Sequence, residues 1–381
     1  MNPSNPFFSI IIFGIAFATA YIINLKFKMV NTSGRHENID GLRGFLALGV
    51  FIHHANIWQQ YINGGVWKEP NSNLYNQFGQ TSVALFFMIT SFLFVTKLLD
   101  SSDKPYNWNR FFISRIFRLA PMYFFSLFIM ILFILIISNW KIDVGITDFF
   151  TSIFHWLAFT ITTTKFINDN PLTVIINANV NWSLPFEWLF YFALPLISLL
   201  IVKIKPPKIY LIISFGFVAL FILVHGLEVH HISSFIGGAI APILIKYTSF
   251  KKNLNTIIYS ILVILCASLI LFFKTSESFL CKLLISIIFT IIALGNSMFG
   301  LLKSSVLKFL GEICYSTYLL HGIILFTTFY FGFGIDKSKQ LSELQYCIII
   351  FSITPIVVMA SFLGYKFIEK PFMDLSKKIK I

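Results

Sequence analysis

The chain has 381 residues, of which 57% are hydrophobic, 18% aromatic and 12% charged. A soluble domain is about 25% charged and about 45–50% apolar, so this composition excludes an ordinary soluble globular protein. Apolar stretches of roughly 17–22 residues recur along the chain, which is the length that a bilayer core about 30 Å thick requires of a spanning helix. The shortage of charge excludes disorder, and the long apolar runs exclude a β-barrel. We therefore predict an all-α, polytopic integral membrane protein.

The net charge of +13 lies in short clusters of Lys and Arg between the apolar stretches. A nucleic-acid groove combines a basic face with stacking aromatic side chains, and this chain shows neither pattern, so we predict no nucleic-acid partner. Cytoplasmic loops of membrane proteins collect Lys and Arg, so the clusters indicate topology instead. The four cysteines lie within apolar stretches, without disulfide-framework or CxxC spacing, and we predict packed thiols.

In chain order, the apolar stretches predict eleven spanning helices. They are 7–25, 42–61, 81–98, 119–138, 182–202, 209–226, 232–248, 256–273, 279–297, 310–331 and 346–366. One set of alternating connections holds about three times as many Lys and Arg residues as the other. The richer set is 26–41, 99–118, 203–208, 249–255, 298–309 and 367–381. This asymmetry predicts an N-terminus outside and a C-terminus in the cytoplasm.

Residues 149–163 are apolar, but the stretch is about fifteen residues long, in the range of an interfacial or re-entrant helix. We therefore predict that 139–181 is a long extracytoplasmic segment with a helix lying on or dipping into the membrane. Loops of this length are usually functional. The first apolar stretch is followed, not preceded, by Lys26 and Lys28, which favours a retained span over a signal peptide.

Polar side chains inside or at the ends of spans are costly there, so they are functional candidates. Asp40-Gly-Leu-Arg43-Gly opens the second predicted span, and Asp40 is predicted to cap its helix. Arg43 and His54 are eleven residues apart, so they share a helix face at a separation of about 16 Å. The alternatives are that Arg43 snorkels to the cytoplasmic surface and that His54 is a hydrogen-bonded structural histidine.

A second group consists of Arg110, Arg115 and Arg118, which precede Pro121. Arg115 and Arg118 share a helix face at i, i+3. Guanidinium groups bind phosphate bidentately, so this pair suits the phosphates of a cytosolic cofactor. The alternative is that these arginines only set the topology.

Three further candidates follow along the chain. Glu187 is a carboxylate just inside the outer end of a predicted span, where a lone charge needs a partner or a function. The neighbouring Trp182 and Trp188 alternatively belong to the aromatic belt at the membrane interface. His321 is a second histidine predicted to lie at mid-membrane depth, and 368–372 is predicted to be a structural helix stop.

Together and in this order, the segments resemble the membrane-bound acyltransferase-3 family, whose members O-acylate cell-surface glycans such as O-antigen, capsule and exopolysaccharide. The resemblance covers 38–375 and leaves 1–30 as an additional N-terminal transmembrane helix, so eleven helices are expected where ten are usual. The residues that match family motifs are Arg43, His54, Arg115, Arg118, Pro121, Trp182, Ser183, Leu184, Glu187, Phe190, Tyr191, Tyr315, Ser316, Tyr318, His321 and 368–372.

The chain departs from the family pattern at two places. The Ser-Gly pair of the family's F-F-x-x-S-G-F-L motif is Thr90-Ser91 here, which puts close backbone packing at that point in doubt. The family serine before Tyr315 is Cys314.

The resemblance implies an acyl-CoA donor, most often acetyl-CoA, as co-substrate, with no bound cofactor and no metal. Arg43, Arg115 and Arg118 would hold the CoA headgroup at the cytoplasmic face. The pantetheine arm would then carry the thioester along the helix toward His54. His54 would act as general base on the attacking sugar hydroxyl, although a covalent acyl-enzyme route stays open.

The acceptor implied by the resemblance is a glycan or a lipid-linked sugar that enters from outside. Glu187 would orient the acceptor hydroxyl or the histidine, and His321 would be a second acid–base group or a structural partner. Residues expected to bind the acceptor or support the site are Trp182, Ser183, Tyr191, Tyr315 and Ser316.

Two other functional classes are alternatives to an acyltransferase. A transporter usually shows paired broken helices in two related halves, and we find no such repeat in the sequence. A non-catalytic partner of a surface-polysaccharide assembly system would not need His54, Glu187 and His321 buried. Membrane lipids are expected partners, a bacterial inner membrane is the expected location, and the oligomeric state is not indicated.

The predicted orientation is tested by cysteine labelling. In a cysteine-free background, cysteines at Lys141 or Lys165 should react with an impermeant thiol reagent on intact cells. Cysteines at Lys104 or Lys303 should react only after the membrane is broken, because cationic connections stay cytoplasmic. The reverse pattern would contradict the orientation, and labelling at Lys203 on intact cells would mean that 149–163 spans the membrane.

Overall fold

The computed structural model describes residues 2–27, 36–101, 106–163, 165–202, 205–247 and 254–379. These residues form helices and connecting turns, with no strand among them. The α-helices are α1 (Pro6–Phe27), α2 (Glu37–Gly64), α3 (Asn73–Asp100), α4 (Trp108–Ile137), α5 (Ile146–Leu157), α6 (Leu172–Ile176), α7 (Leu184–Ile201), α8 (Lys208–His225), α9 (Val229–Tyr247), α10 (Ile257–Ile270), α11 (Phe279–Ala293), α12 (Ser305–Glu312), α13 (Cys314–Phe326), α14 (Ile335–Ser338), α15 (Glu343–Gly364) and α16 (Lys370–Lys378).

The helical membrane class is confirmed, but the count of eleven spans is not. Within the described ranges, seven helices are long and apolar enough to cross a bilayer, and an eighth is added if one bent pair counts as a span. Every predicted span contains a helix, but α10 and α11 have 14 and 15 residues. A straight span needs about 20 residues. Helix α2 is long enough but carries Arg43, both neighbouring histidines and Asn56 within its apolar stretch.

The bent pair is α12 followed by α13, which meet at an angle of 70°. The break falls at Ile313, and the chain continues beyond α13 as a π-helix over Thr327–Gly332. The predicted continuous span 310–331 is therefore a broken helix, and His321 lies in its longer arm.

Helix α4 corrects the expected position of the arginine cluster. The helix begins at Trp108, where the side chain of Asn107 accepts a hydrogen bond from the Arg110 N–H at 2.9 Å, and it continues through Pro121. Arg115 and Arg118 therefore lie in the first turns of the spanning helix and not in a connection before it.

Helix α5 occupies part of the long segment 139–181. It has 12 residues, so it is about 18 Å long and shorter than a bilayer core. One face buries Phe149 and Trp156, and the neighbouring face exposes large apolar side chains. These are Ile146, Phe150, Phe154 and Leu157. The length and the apolar face suit the non-spanning helix that we expect here, and its place in the membrane stays a prediction.

The chain forms two compact units. The first is Met1–Phe86 with Lys252–Lys366, and the second is Phe87–Lys251 with Phe367–Ile381. Helix α3 contributes residues to both. The four cysteines predicted to be packed thiols, Cys266, Cys281, Cys314 and Cys347, are buried and free, and all of them lie in the first unit.

Glycines bring two backbones of the first unit into direct contact. A Cβ atom on Gly41 would lie 1.9 Å from the carbonyl oxygen of Leu302, and a Cβ on Gly311 would lie 2.0 Å from that of Asp40. Real Cβ atoms do not approach so closely, so α2 and the segment ending in α12 pack this tightly only because these residues are glycine. The glycines of the Asp40-Gly-Leu-Arg43-Gly motif are thus packing residues.

A similar contact in the second unit answers the doubt raised by Thr90-Ser91. A Cβ on Gly238 of α9 would lie 2.2 Å from the carbonyl oxygen of Met88 in α3. Close packing beside this motif is therefore retained, and the small residue that allows it comes from α9.

The glycine contacts predict a matched mutational contrast. Gly44→Ala places a Cβ 2.4 Å from the Leu307 carbonyl oxygen, so overpacking should lower the free energy of unfolding by about 1–3 kcal/mol. Gly14→Ala in α1 meets nothing within 4 Å and should be neutral or stabilising by up to about 1 kcal/mol. Thermal unfolding in detergent measures both, and equal midpoints would contradict the assigned role of Gly44.

Candidate active site

Three buried histidines cluster in the first unit. His53 and His54 are neighbours on α2, and His321 lies on α13, which packs against α2. Their exposed fractions are 8%, 9% and 0%. The Nδ1 atom of His54 lies 3.1 Å from the Nε2 atom of His321. Residues far apart in sequence thus form a direct imidazole–imidazole hydrogen bond.

The backbone partners of these histidines indicate which nitrogens carry protons. His321 Nδ1 lies 2.8 Å from the Thr317 carbonyl oxygen, so it donates there and its Nε2 accepts. His54 Nδ1 must then carry the proton that it donates to His321, and it also lies 3.0 Å from the Val50 carbonyl oxygen. In a neutral imidazole the other nitrogen is the acceptor. The basic lone pair of His54 is therefore on Nε2.

His53 has different surroundings from His54. Its Nδ1 lies 2.7 Å from the Tyr75 carbonyl oxygen, and its ring packs on α3, where a Cβ on Gly79 would lie 2.5 Å from the imidazole. The two rings are 4.9 Å apart at a steep angle. His53 therefore ties α2 to α3, whereas His54 faces His321.

Trp67 is a neighbour of His54 that the sequence did not reveal. Its ring is nearly parallel to the His54 imidazole, with centroids 6.4 Å apart and planes at 16°. It belongs to an aromatic group with Trp58 and Tyr61 at the end of α2. The only sequence signal for this contact is that Trp67 is an aromatic residue in the polar connection after the second predicted span.

Arg43 and His54 lie on one uninterrupted helix, as predicted. Arg43 forms an ion pair with Asp40 at 3.7 Å. The prediction that Asp40 caps α2 is wrong, because the helix begins at Glu37. Asp40 instead supplies a carboxylate to the first turn, where it is favourable to the helix dipole, and partners Arg43.

The second unit contains a separate polar group on α4 and α7. The Tyr191 hydroxyl donates a hydrogen bond to Glu187 one helical turn away. Arg115 is in electrostatic contact with both side chains, and its guanidinium lies 5.0 Å from the centre of the Phe94 ring. The expected need of Glu187 for a partner inside the span is therefore met by Tyr191 and Arg115.

Arg118 contacts the last helix of the chain, α16. Its Nη1 atom lies 3.9 Å from the sulfur of Met373 on α16.

Residues 368–372 were expected to stop the last helix, but α15 continues through a π-helix at Tyr365–Glu369 into α16. Pro371 lies in the first turn of α16, a position that proline tolerates because its missing N–H needs no helical partner.

The remaining predicted residues lie on α13 or in the turn before α7. Trp182 is 37% exposed and precedes α7 in a 3₁₀ turn, Val180–Ser183, while Ser183 is buried. Ser316 is fully buried on α13, and Tyr315 precedes it. The structure thus brings His54 and His321 together in the first unit, and Glu187, Tyr191 and Arg115 together in the second.

A family comparison matches most of the chain. The model of an acyltransferase domain matches residues 36–364. This range contains both histidines of the hydrogen-bonded pair, Glu187 and the arginines, and it excludes α1 and 368–372. Comparisons with curated proteins and with solved structures give no significant match.

Proposed function

The chain belongs to the acyltransferase-3 family, and on that premise we propose that it transfers an acyl group, most simply acetyl, from cytosolic acyl-CoA to a hydroxyl of a cell-surface or lipid-linked glycan. The family and the apolar helices make it a membrane acyltransferase. The donor, the acyl group and the acceptor are the proposed part.

The observation that carries the proposal is the hydrogen bond between His54 and His321. It supports His54 as general base, because it holds the imidazole in the tautomer whose Nε2 accepts a proton. His321 acts as a positioning residue that keeps the ring oriented, and it is itself anchored on the Thr317 carbonyl. In many acyl-transfer sites a further side chain hydrogen-bonds the catalytic base and holds it in the required orientation.

In the proposed reaction, the glycan hydroxyl attacks the thioester carbonyl while His54 Nε2 takes its proton. The new C–O bond gives a tetrahedral intermediate, whose collapse breaks the C–S bond. The departing thiolate recovers the proton from the His54 imidazolium. The products are the glycan ester and free CoA, and His54 is returned to its starting tautomer.

The donor side of the proposal uses Arg43, Arg115 and Arg118 to bind the phosphates of CoA. Arg118 fits this role best, because Arg115 already contacts Phe94, Tyr191 and Glu187. For the acceptor side we propose the exposed ring of Trp182 with Glu187. Ser183, Tyr191, Tyr315 and Ser316 would support the two sides through packing and hydrogen bonds.

The proposed location is a bacterial inner membrane, with the N-terminus outside and the C-terminus in the cytoplasm. The arginines would then meet acyl-CoA where it is made, and the acceptor would be reached from outside. A transporter would move its substrate unchanged, and an assembly partner would not consume a thioester. Release of CoA from acetyl-CoA therefore separates an enzyme from both alternatives.

The general-base role predicts a contrast between two neighbouring histidines. Purified membranes containing His54→Ala should release no CoA from acetyl-CoA above background when acceptor glycan is present. His53→Ala should retain much of the activity, since His53 bonds the Tyr75 carbonyl. Both variants should insert and elute as folded proteins in detergent. Equal loss of activity would remove the case for His54 as the base, and mass spectrometry of the surface glycan would identify the ester.

The donor role predicts a second contrast on α4. Arg118→Ala should raise the KM for acyl-CoA, since a hydrogen bond to a charged group is worth about 1.5–3 kcal/mol. The KM for the acceptor should change little. Arg110→Ala is the matched control, because Arg110 is exposed in the first turn of the same helix. An unchanged donor KM in a variant that has lost turnover would mean that Arg118 serves folding or topology.

A further inference from the structure

The second unit holds a cluster of metal-binding side chains that the proposed reaction does not use. Glu228, His230 and His231 lie where the connection after α8 enters α9, and each is partly exposed to solvent. One oxygen or nitrogen atom from each lies within 4.8 Å of the others. The family resemblance implies no metal, and Glu228, His230 and His231 lie outside the motifs that carry that resemblance.

The distances within this cluster are close to those of a metal site. Glu228 Oε2 lies 3.3 Å from His230 Nε2. Ligands bound tetrahedrally at about 2.1 Å are about 3.4 Å apart, so this pair already has the required separation. The other separations, up to 4.8 Å, close with small side-chain rotations.

The backbone holds the three side chains on one short segment. The Glu228 carbonyl oxygen accepts hydrogen bonds from the His231 N–H at 3.1 Å and the Ile232 N–H at 3.2 Å. This first turn of α9 places Glu228 and His231, three residues apart, on one face. Little backbone freedom would be lost when a metal binds.

Aromatic rings fix the orientation of His231. Its imidazole lies 4.9 Å from the ring of Trp182 and 4.5 Å from that of Phe186, measured between centroids. It also lies 4.1 Å from the ring of His230, measured between centroids. The partial exposure of the Glu228 and His230 side chains, 39% and 29%, leaves the cluster accessible to an ion from solvent.

We propose that Glu228, His230 and His231 form a binding site for a divalent transition-metal ion, with zinc as the best fit. Imidazole nitrogens favour zinc over calcium or magnesium, which take oxygen ligands. Two imidazoles and a carboxylate supply three ligands, and water completes the four that zinc prefers. The bound ion would fix the first turn of α9 beside Trp182. This proposal does not depend on the acyl-transfer reaction.

The test measures zinc binding by the full-length protein in detergent, without a polyhistidine tag. After dialysis against a chelator, zinc is titrated in competition with a chromophoric chelator, and bound metal is counted by elemental analysis. We expect one zinc ion per chain. Cobalt should give the absorption bands of a four-coordinate site, which zinc then abolishes.

The matched comparison replaces two histidines in the site and one outside it. His230→Ala combined with His231→Ala should weaken zinc binding on the order of a hundredfold or more, since even loss of an outer partner of a metal ligand costs about 10–100-fold. His225→Ala should bind zinc like the wild type, because His225 bonds the Ile161 carbonyl oxygen at 2.6 Å and is not a ligand.

Zinc should also raise the unfolding temperature of the wild type and of His225→Ala, but not that of the double variant, because a ligand that binds only the folded state stabilises it. A folded wild type that binds no zinc would overturn the proposal. Equal zinc affinity of the wild type and the double variant would overturn it as well.

Discussion

The close contact between α2 and α12 is the constraint on which the histidine pair depends. A hydrogen bond of 3.1 Å between two ring nitrogens tolerates only a few tenths of an ångström of helix movement. The backbone of α2 meets that of 302–311 with only the hydrogens of Gly41 and Gly311 between them. The 70° bend that follows then lets α13 also pack on α2, where His54 lies. Glycine packing at one end of α2 thus determines whether two imidazoles meet farther along it.

Because His54 and His321 are both buried, neither imidazole can carry a charge without a compensating partner. An isolated charge costs many kcal/mol in a low-dielectric interior, so both imidazoles are neutral at rest and each has one donor and one acceptor nitrogen. The Thr317 carbonyl oxygen accepts a hydrogen bond from His321 Nδ1. His321 Nε2 is therefore an acceptor, and the hydrogen bond between the two histidines runs from His54 to His321. A carboxylate in place of His321 would bring a permanent negative charge. A neutral imidazole orients His54 without one, and in the proposed reaction the imidazolium would exist only while a tetrahedral oxyanion is present to balance it.

The sequence predicts what is local and misses what depends on folding. Helical arithmetic places Arg43 and His54 on one helix, and the cost of a buried charge predicts a partner or a function for Glu187, which contacts Tyr191 and Arg115. Neither argument pairs His54 with His321, which lie 267 residues apart. Two errors at helix ends share a cause: residues that can cap or stop a helix, Asp40 and 368–372, are equally acceptable in a first turn. Such positions are decided by tertiary packing.

The polar character of α2 gives α1 a physical role. A helix that carries Arg43, His53, His54 and Asn56 is too polar to face lipid, and most of its side chains are buried by protein. Helix α1 packs against α2, α12 and α15. The residues just before α1 also supply acceptors, since Asn56 donates to the Pro3 carbonyl oxygen at 3.2 Å and the Tyr75 hydroxyl donates to that of Asn5 at 2.7 Å. Tyr75 in turn accepts from His53. Helix α1, which lies outside the family match, therefore shields α2, and the residues before it hold Tyr75, whose carbonyl oxygen bonds His53.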